Sequence, residues 1–274
     1  MIRLLKLIIY KIKETNWKYK LQGSDVRIQG EIITPLNNHI TIKKSTIYVD
    51  YNSTIILHEG VRLEGIGLWV TNGGRVEIGA HSFLERSSNA TKPEYIVNSG
   101  VLRVADHTKL ACQRLWIRFG GSIEVGQYTN VNPGSEIRAD EKVIIGSYCQ
   151  LSYNLRIWDT NTHCIYSPEK RNRLTRDYFP RFGYEYERPR TAPVVIGDGT
   201  WIGERASILK GTTLDENVIV GYNTTVAGKH IPRQKTVASR IHCSGRSYPG
   251  NNHTSCPERK YLQNICCYCI PHPP

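Results

Sequence analysis

The chemistry in this chain starts with residues 151–167, LSYNLRIWDTNTHCIYS. Ile145, Leu151 and Ile157 recur at six-residue intervals, and His163 takes the next place in that count. An imidazole where an aliphatic side chain belongs, beside a long polar interruption, reads either as a solvated corner histidine or as a base. A neutral imidazole titrates near working pH and can accept a proton from a poor nucleophile such as a hydroxyl. Asp159 or a backbone carbonyl would hold the ring tautomer, and both readings stay open. The other chemically suggestive cluster is the tail, with His242, Cys243, His253, Cys256, Cys266, Cys267, Cys269 and His272. Cys266-x-x-Cys269 has ligand spacing, but no second pair completes a zinc set, so the expectation is no metal.

The elements that position His163 are legible nearby. In VVIGDGTWIGERASILKGTTLDENVIVGYNTTVAGKHIP, residues 194–232, aliphatic residues return every six positions at Ile196, Ile202, Ile208, Leu214, Val220 and Val226. A helix would repeat at three or four and a plain strand at two. Six fits a coil of three short flat strands, each turned inward by one aliphatic residue, and eighteen residues close one coil. A single coil cannot bury that face, but stacking coils about 4.8 Å apart does so and pairs the backbone in parallel. Gly, Asn and Asp supply the tight corners. Upstream, GGRVEIGAHSF, SGVLRVADHTK, GGSIEVGQYTN and DEKVIIGSYCQ repeat a strand-then-corner signature at slightly longer spacing. The pattern predicts an all-β parallel β-helix of about nine to eleven coils between residues 24 and 232. Residues 87–98 read as a corner loop.

These residues resemble the hexapeptide-repeat acyltransferases, and especially their sugar and xenobiotic O-acetyltransferase branch. WIGERASILKG is similar to that branch's Trp-Ile-Gly followed by Ile-Leu-x-Gly. VIVGYNTTVAGKHIP is similar to its closing coil, with one extra residue near Ala227–Gly228. The resemblance covers roughly residues 73–232 and implies a left-handed β-helix, against the usual right-handed crossover. It further implies an acetyl-CoA-dependent O-acetyltransferase with His163 as general base, although the family's His-Pro is here His163-Cys164. By the same resemblance Asn132 and Asp140 bind the acceptor, with Asn130 a near neighbour that a one-residue slip would substitute. Trp201, Gly203, Tyr222, Ala227 and Lys229 would line the coenzyme. The site of such enzymes lies between two β-helices, so a homotrimer is implied, with a sugar or glycan of bacterial surface assembly as acceptor and a cytoplasmic setting.

Rival readings are an amine acceptor on a nucleotide-linked amino sugar, and a non-catalytic glycan-binding scaffold. A β-helical carbonic anhydrase needs three metal-binding histidines, which His107 and His163 do not supply.

The 274 residues carry a formal net charge of +12, which points to an anionic partner. No nucleic-acid motif is present, so nucleic acid ranks last. The domain reading is 1–23 a basic amphipathic segment, 24–234 the β-helix, and 235–274 an irregular tail. The first segment caps the open end of the helix or touches a membrane surface. Cys112, Cys149 and Cys164 read as small buried apolar residues. The interruption at 166–191 reads either as a flap over an anionic or sugar substrate or as an arm over a neighbouring subunit.

Overall fold

The computed structural model describes residues 18–34, 39–86, 92–181 and 187–239, and the Cys-containing tail beyond 239 lies outside them. The chain is a left-handed parallel β-helix, triangular in section, whose strands visit three faces in strict rotation. Among the described residues the first face has ten strands, from Lys18–Gln22 to Thr236–Val237, so coil strands extend slightly beyond both ends of 24–234. The second and third faces have nine each, beginning at Asp25–Ile28 and Glu31–Ile33. Every strand pairs in parallel with the strand one coil away, for example Ile157 with Ile208 and Ile145 with Ile196.

The six-residue count explains the core. Ile196, Ile202, Ile208, Leu214, Val220 and Val226 all point inward and are no more than 3% exposed. Each fully buried aliphatic side chain contributes roughly 1.5–3 kcal/mol, so the stacked columns, not any one coil, hold the helix together. At the edge between the third and first faces a second column is polar. The hydroxyls of Ser82, Thr108 and Thr129 donate to the carbonyls of Ala105, Gly126 and Gly146 in the next coil. Cys149 takes the same place, its Sγ 3.3 Å from the Gly197 carbonyl.

Three details differ from the sequence reading. Glu94–Asn98 is a strand of the second face rather than part of a loop. Cys112 and Cys149 are buried, but Cys164 is outside the coils and only partly covered. The interruption is not all loop: Pro168–Tyr178 is an α-helix.

Candidate functional site

The chain leaves the β-helix at the edge between the second and third faces, immediately after strand Arg156–Trp158, and returns at strand Val194–Ile196. The excursion forms an arm with a laced neck. Thr160 and Thr191 form an antiparallel bridge. The amide of Asn161 donates to the carbonyl of Arg190 at 3.0 Å, and that of Ala192 to the carbonyl of Asp159 at 2.9 Å. The Cys164 thiol lies 3.5 Å from the Glu187 carbonyl. Lys170 meets Glu187 at 2.8 Å and stands 4.2 Å over the Tyr166 ring.

Farther out, Ser167 caps the helix by accepting from the Lys170 amide, Pro168 opens it, and Glu169 sits in its first turn. None of its residues is buried.

His163 sits in this neck, between Asn161 and Cys164, each of which is fastened to the returning limb. Its side chain is exposed. The six-residue count therefore stops at Ile157, and His163 does not fill an inward slot as the spacing predicts. The reason is local: Asp159 and Thr160 turn the chain out of the coil before the next slot is reached.

Asp159 is fully buried. One of its oxygens accepts the Asp140 amide at 2.9 Å, and the other accepts the Glu141 and Lys142 amides at 2.7 and 2.6 Å. Burial pushes its carboxyl pKa up, against the three amide bonds that pull it down, with the Asp140 charge adding to the rise. Both oxygens thus hold the corner of the preceding coil, and the acid anchors the point from which the arm departs.

Asp140 is 1% exposed and forms a two-pronged pair with Arg118, at 2.9 and 2.8 Å. Arg118 in turn lies 4.7 Å over the Trp116 ring, and Arg138 is held between Trp116 and Trp158 at 4.9 and 5.0 Å. The carbonyl of Asp140 accepts from the Arg188 guanidinium at 2.7 Å, tying the returning limb to the same corner. Ala227 ends a strand of the second face, and Lys229 follows it, exposed, at the same edge of the helix.

The remaining expected residues lie elsewhere. Asn130, Gln150, Trp201 and Ile219 form one column on the first face. The Asn130 amide group donates to Asn132 Oδ1 at 3.0 Å, while Asn130 Oδ1 is buried with no protein partner. Trp201 is 56% exposed and Tyr222 58%, the latter accepting from Arg205 at 2.9 Å. Gly203 permits a close approach: a Cβ there would fall 2.8 Å from the Tyr222 nitrogen.

The structure thus brings Asp140, Asp159, His163, Ala227 and Lys229 to one edge. It brings Asn130, Asn132, Trp201, Gly203 and Tyr222 to the opposite face and its margin. Sequence reasoning missed Arg118 as the partner of Asp140. The two stand 22 residues apart, one long coil, and only the coil length would have shown it. Among the described residues no group of three His, Cys, Asp or Glu could hold a metal ion, and no helix is long and apolar enough to cross a membrane.

Residues 193–228 match the family model described as bacterial transferase hexapeptide (six repeats). The match falls on the coils that follow the arm. No curated protein sequence matches the chain. Among solved structures, the polySia-specific acetyltransferase NeuO is 14% identical, covering 81% of this chain and 82% of its own, with a TM-score of 0.45. The polysialic acid O-acetyltransferase OatWY is 21% identical, covering 84% of this chain and 95% of its own, with a TM-score of 0.44.

Proposed function

We propose that the protein is an acetyl-CoA-dependent O-acetyltransferase acting on a sugar hydroxyl of a bacterial surface glycan or its precursor. The reading is supported chiefly by His163, displayed in a neck fastened on both sides, at the start of coils that match a transferase hexapeptide model. His163 takes the proton of the acceptor hydroxyl as its oxygen attacks the thioester carbonyl carbon. The C–S bond then breaks, the acetyl group passes to the sugar oxygen, and the imidazolium returns its proton to the departing thiolate. A backbone N–H at a coil corner is suited to the charge that develops on the carbonyl oxygen. Asp159 acts through structure, fixing the corner from which the neck leaves.

Coenzyme A would lie against the exposed Trp201 indole, beside Gly203 and Tyr222, with Lys229 toward its phosphates. Asn130 and Asn132 would meet the acceptor. One chain holds His163 and Lys229 on one edge and Trp201 on the opposite face, so a site containing all of them forms only between two copies. That arrangement supports a homotrimer with three inter-subunit sites.

The test has two parts. Acetyl-CoA binding by the wild type should be saturable and weakened by Trp201→Ala or Lys229→Ala. Transfer is then followed on a panel of acceptors, with polysialic acid, the acceptor named for both solved structures, tried first. His163→Ala should lower the rate about 10²–10⁴-fold while leaving the melting temperature unchanged. Co-expressing His163→Ala with Trp201→Ala should restore activity in mixed trimers that neither variant shows alone. Absence of coenzyme binding at millimolar concentration by the folded protein would overturn the reading.

A further inference from the structure

The edge between the third and first faces carries a feature that acetyl transfer does not use. Once per coil the backbone there takes positive φ, at Gly60, His81, His107, Tyr128, Tyr148, Gly199, Asn217 and Gln234. Glycine and asparagine suit this conformation, histidine tolerates it, and tyrosine does not. Yet four successive coils place a ring there. The rings form a ladder, with centroids 5.3 Å apart from His81 to His107, 4.9 Å to Tyr128 and 5.3 Å to Tyr148. Gly60 closes one end, since a Cβ on it would fall 2.3 Å from the His81 ring. Tyr128 and Tyr148 are 50% and 57% exposed. Gly199 and Asn217 make the same corner without rings, so coil stacking alone does not call for them.

Two residues after each ring, the chain enters the first face. His107 is followed there by Lys109, Tyr128 by Asn130, and Tyr148 by Gln150, and these three stack in one column. An aromatic ridge therefore runs beside a strip of an ammonium group and two amides. Within that strip Asn130 turns its Oδ1 inward, buried without a protein partner, and its amide group toward Asn132. Tyrosine rings offer an apolar surface with a polar tip, and side-chain amides offer paired donors and acceptors. Together they match a ligand that alternates C–H faces with hydroxyls.

We infer that the ridge His81–His107–Tyr128–Tyr148 and the column Lys109–Asn130–Gln150 form a track for a glycan chain of several sugars, laid along the helix axis. Lys109 is paired with Glu85 at 2.6 Å, so it is the net charge of +12 that favours an acidic chain. This rests on the glycan reading above and makes the acceptor a polymer or long oligosaccharide rather than a free sugar.

The test replaces Tyr128 and Tyr148 together by Asn, which accepts positive φ better than Tyr and so spares the fold. Binding of polysialic acid, hyaluronan and dextran is measured without acetyl-CoA, and thermal melting is recorded alongside. The wild type should bind at least one acidic polymer, and the double variant should bind it roughly tenfold more weakly, with coenzyme binding unchanged. Equal binding by the variant, or no binding of any of the three polymers by the wild type, would overturn the track. Polymer binding that depends on the tyrosines in a protein that ignores acetyl-CoA would instead keep the track and remove the transferase reading.

Discussion

The coils after the arm and the coils before it are built to different lengths. After the arm, Trp201 faces Ile219 and Ser207 faces Thr225, eighteen residues on in each case. Before it, Arg114 faces Glu136 and Glu136 faces Arg156, twenty-two and twenty residues on. The extra residues are not spread evenly. In the two coils next to the arm and in those after it, the run through the third–first edge, the first face and the next corner is ten residues, at 126–135, 146–155, 197–206 and 215–224. Among these coils all of the difference lies between the start of the second face and the end of the third: twelve residues at 114–125, ten at 136–145, eight at 207–214. The lengthened side is the one whose edge carries Asp140, Asp159 and the arm. Next to the arm, the first face keeps the repeat, and the opposite edge departs from it to carry the arm.

Excising the arm is the most drastic way to break this contrast. Replacing 161–190 by a short turn would bring the coil from Arg156 close to the length of those after it. The β-helix should persist by circular dichroism, because the faces pair through Ile157–Ile208 and Ile145–Ile196 without help from the helix Pro168–Tyr178, none of whose residues is buried. Acetyl transfer should be lost altogether. An unfolded product would show that the two regions do not stack on their own.

The same asymmetry decided what could be read from sequence. In residues 194–232 each inward aliphatic residue announces itself by phase, and all six are buried. Before the arm, the phase survives only on the ten-residue run, which is why Gly126 and Gly146 stood out while the second face did not. His163 was legible as a residue out of place, but its actual position was not. The count assumed a continuing coil, whereas the buried Asp159 corner ends it. Asp140 is assigned to the acceptor by resemblance alone, against the plainer reading that Asp suits a turn, and only the coil length reveals Arg118 beside it. The aromatic ladder was hidden for a similar reason. Its members are 26, 21 and 20 residues apart, an irregular period without the pairing in hand.

A second test addresses the corner itself. Asp159→Ala leaves three backbone N–H groups without their acceptor, and should cost about 3 kcal/mol at roughly 1 kcal/mol or more each, measured by urea unfolding. Its pH dependence has a definite sign. Burial raises the folded pKa of Asp159 above its unfolded value, so the native state holds this proton longer than the unfolded chain. The group's contribution to stability is fully present below the unfolded pKa and falls as pH rises through the raised folded value. Asp159→Asn should remove that decline, while costing stability because its NH₂ faces the same three N–H groups. An unchanged slope in Asp159→Asn would show that the acid titrates normally.

A third comparison sets Ile137→Ala in a long coil against Ile208→Ala in a short one. Both side chains are 0% exposed, and each truncation should cost about 2–5 kcal/mol. Similar values would mean that coil length alters the outer edge but not the packing of the inward columns. A loss below 1 kcal/mol at Ile137 alone would mean that the longer coils are loosely filled, and that only the regular end is a tightly packed core.

The smallest expected effect is the most discriminating about the shared edge. Cys149 stands in the column of Ser82, Thr108, Thr129 and Thr200, whose hydroxyls donate across to the next coil. Its own Sγ contacts the Ser147 and Gly197 carbonyls at 3.6 and 3.3 Å, and burial raises the thiol pKa, so it remains a neutral donor. Cys149→Thr exchanges a weak S–H donor for the O–H donor found one coil below, in similar volume. Stability should change by less than about 1 kcal/mol, with a gain if the Gly197 carbonyl accepts the new hydroxyl as Gly146 accepts that of Thr129. This position sits where a long coil meets the first short one. A loss of several kcal/mol would therefore show that the edge is not continuous across the arm, and that the ten-residue run common to both regions hides a change of geometry at their junction.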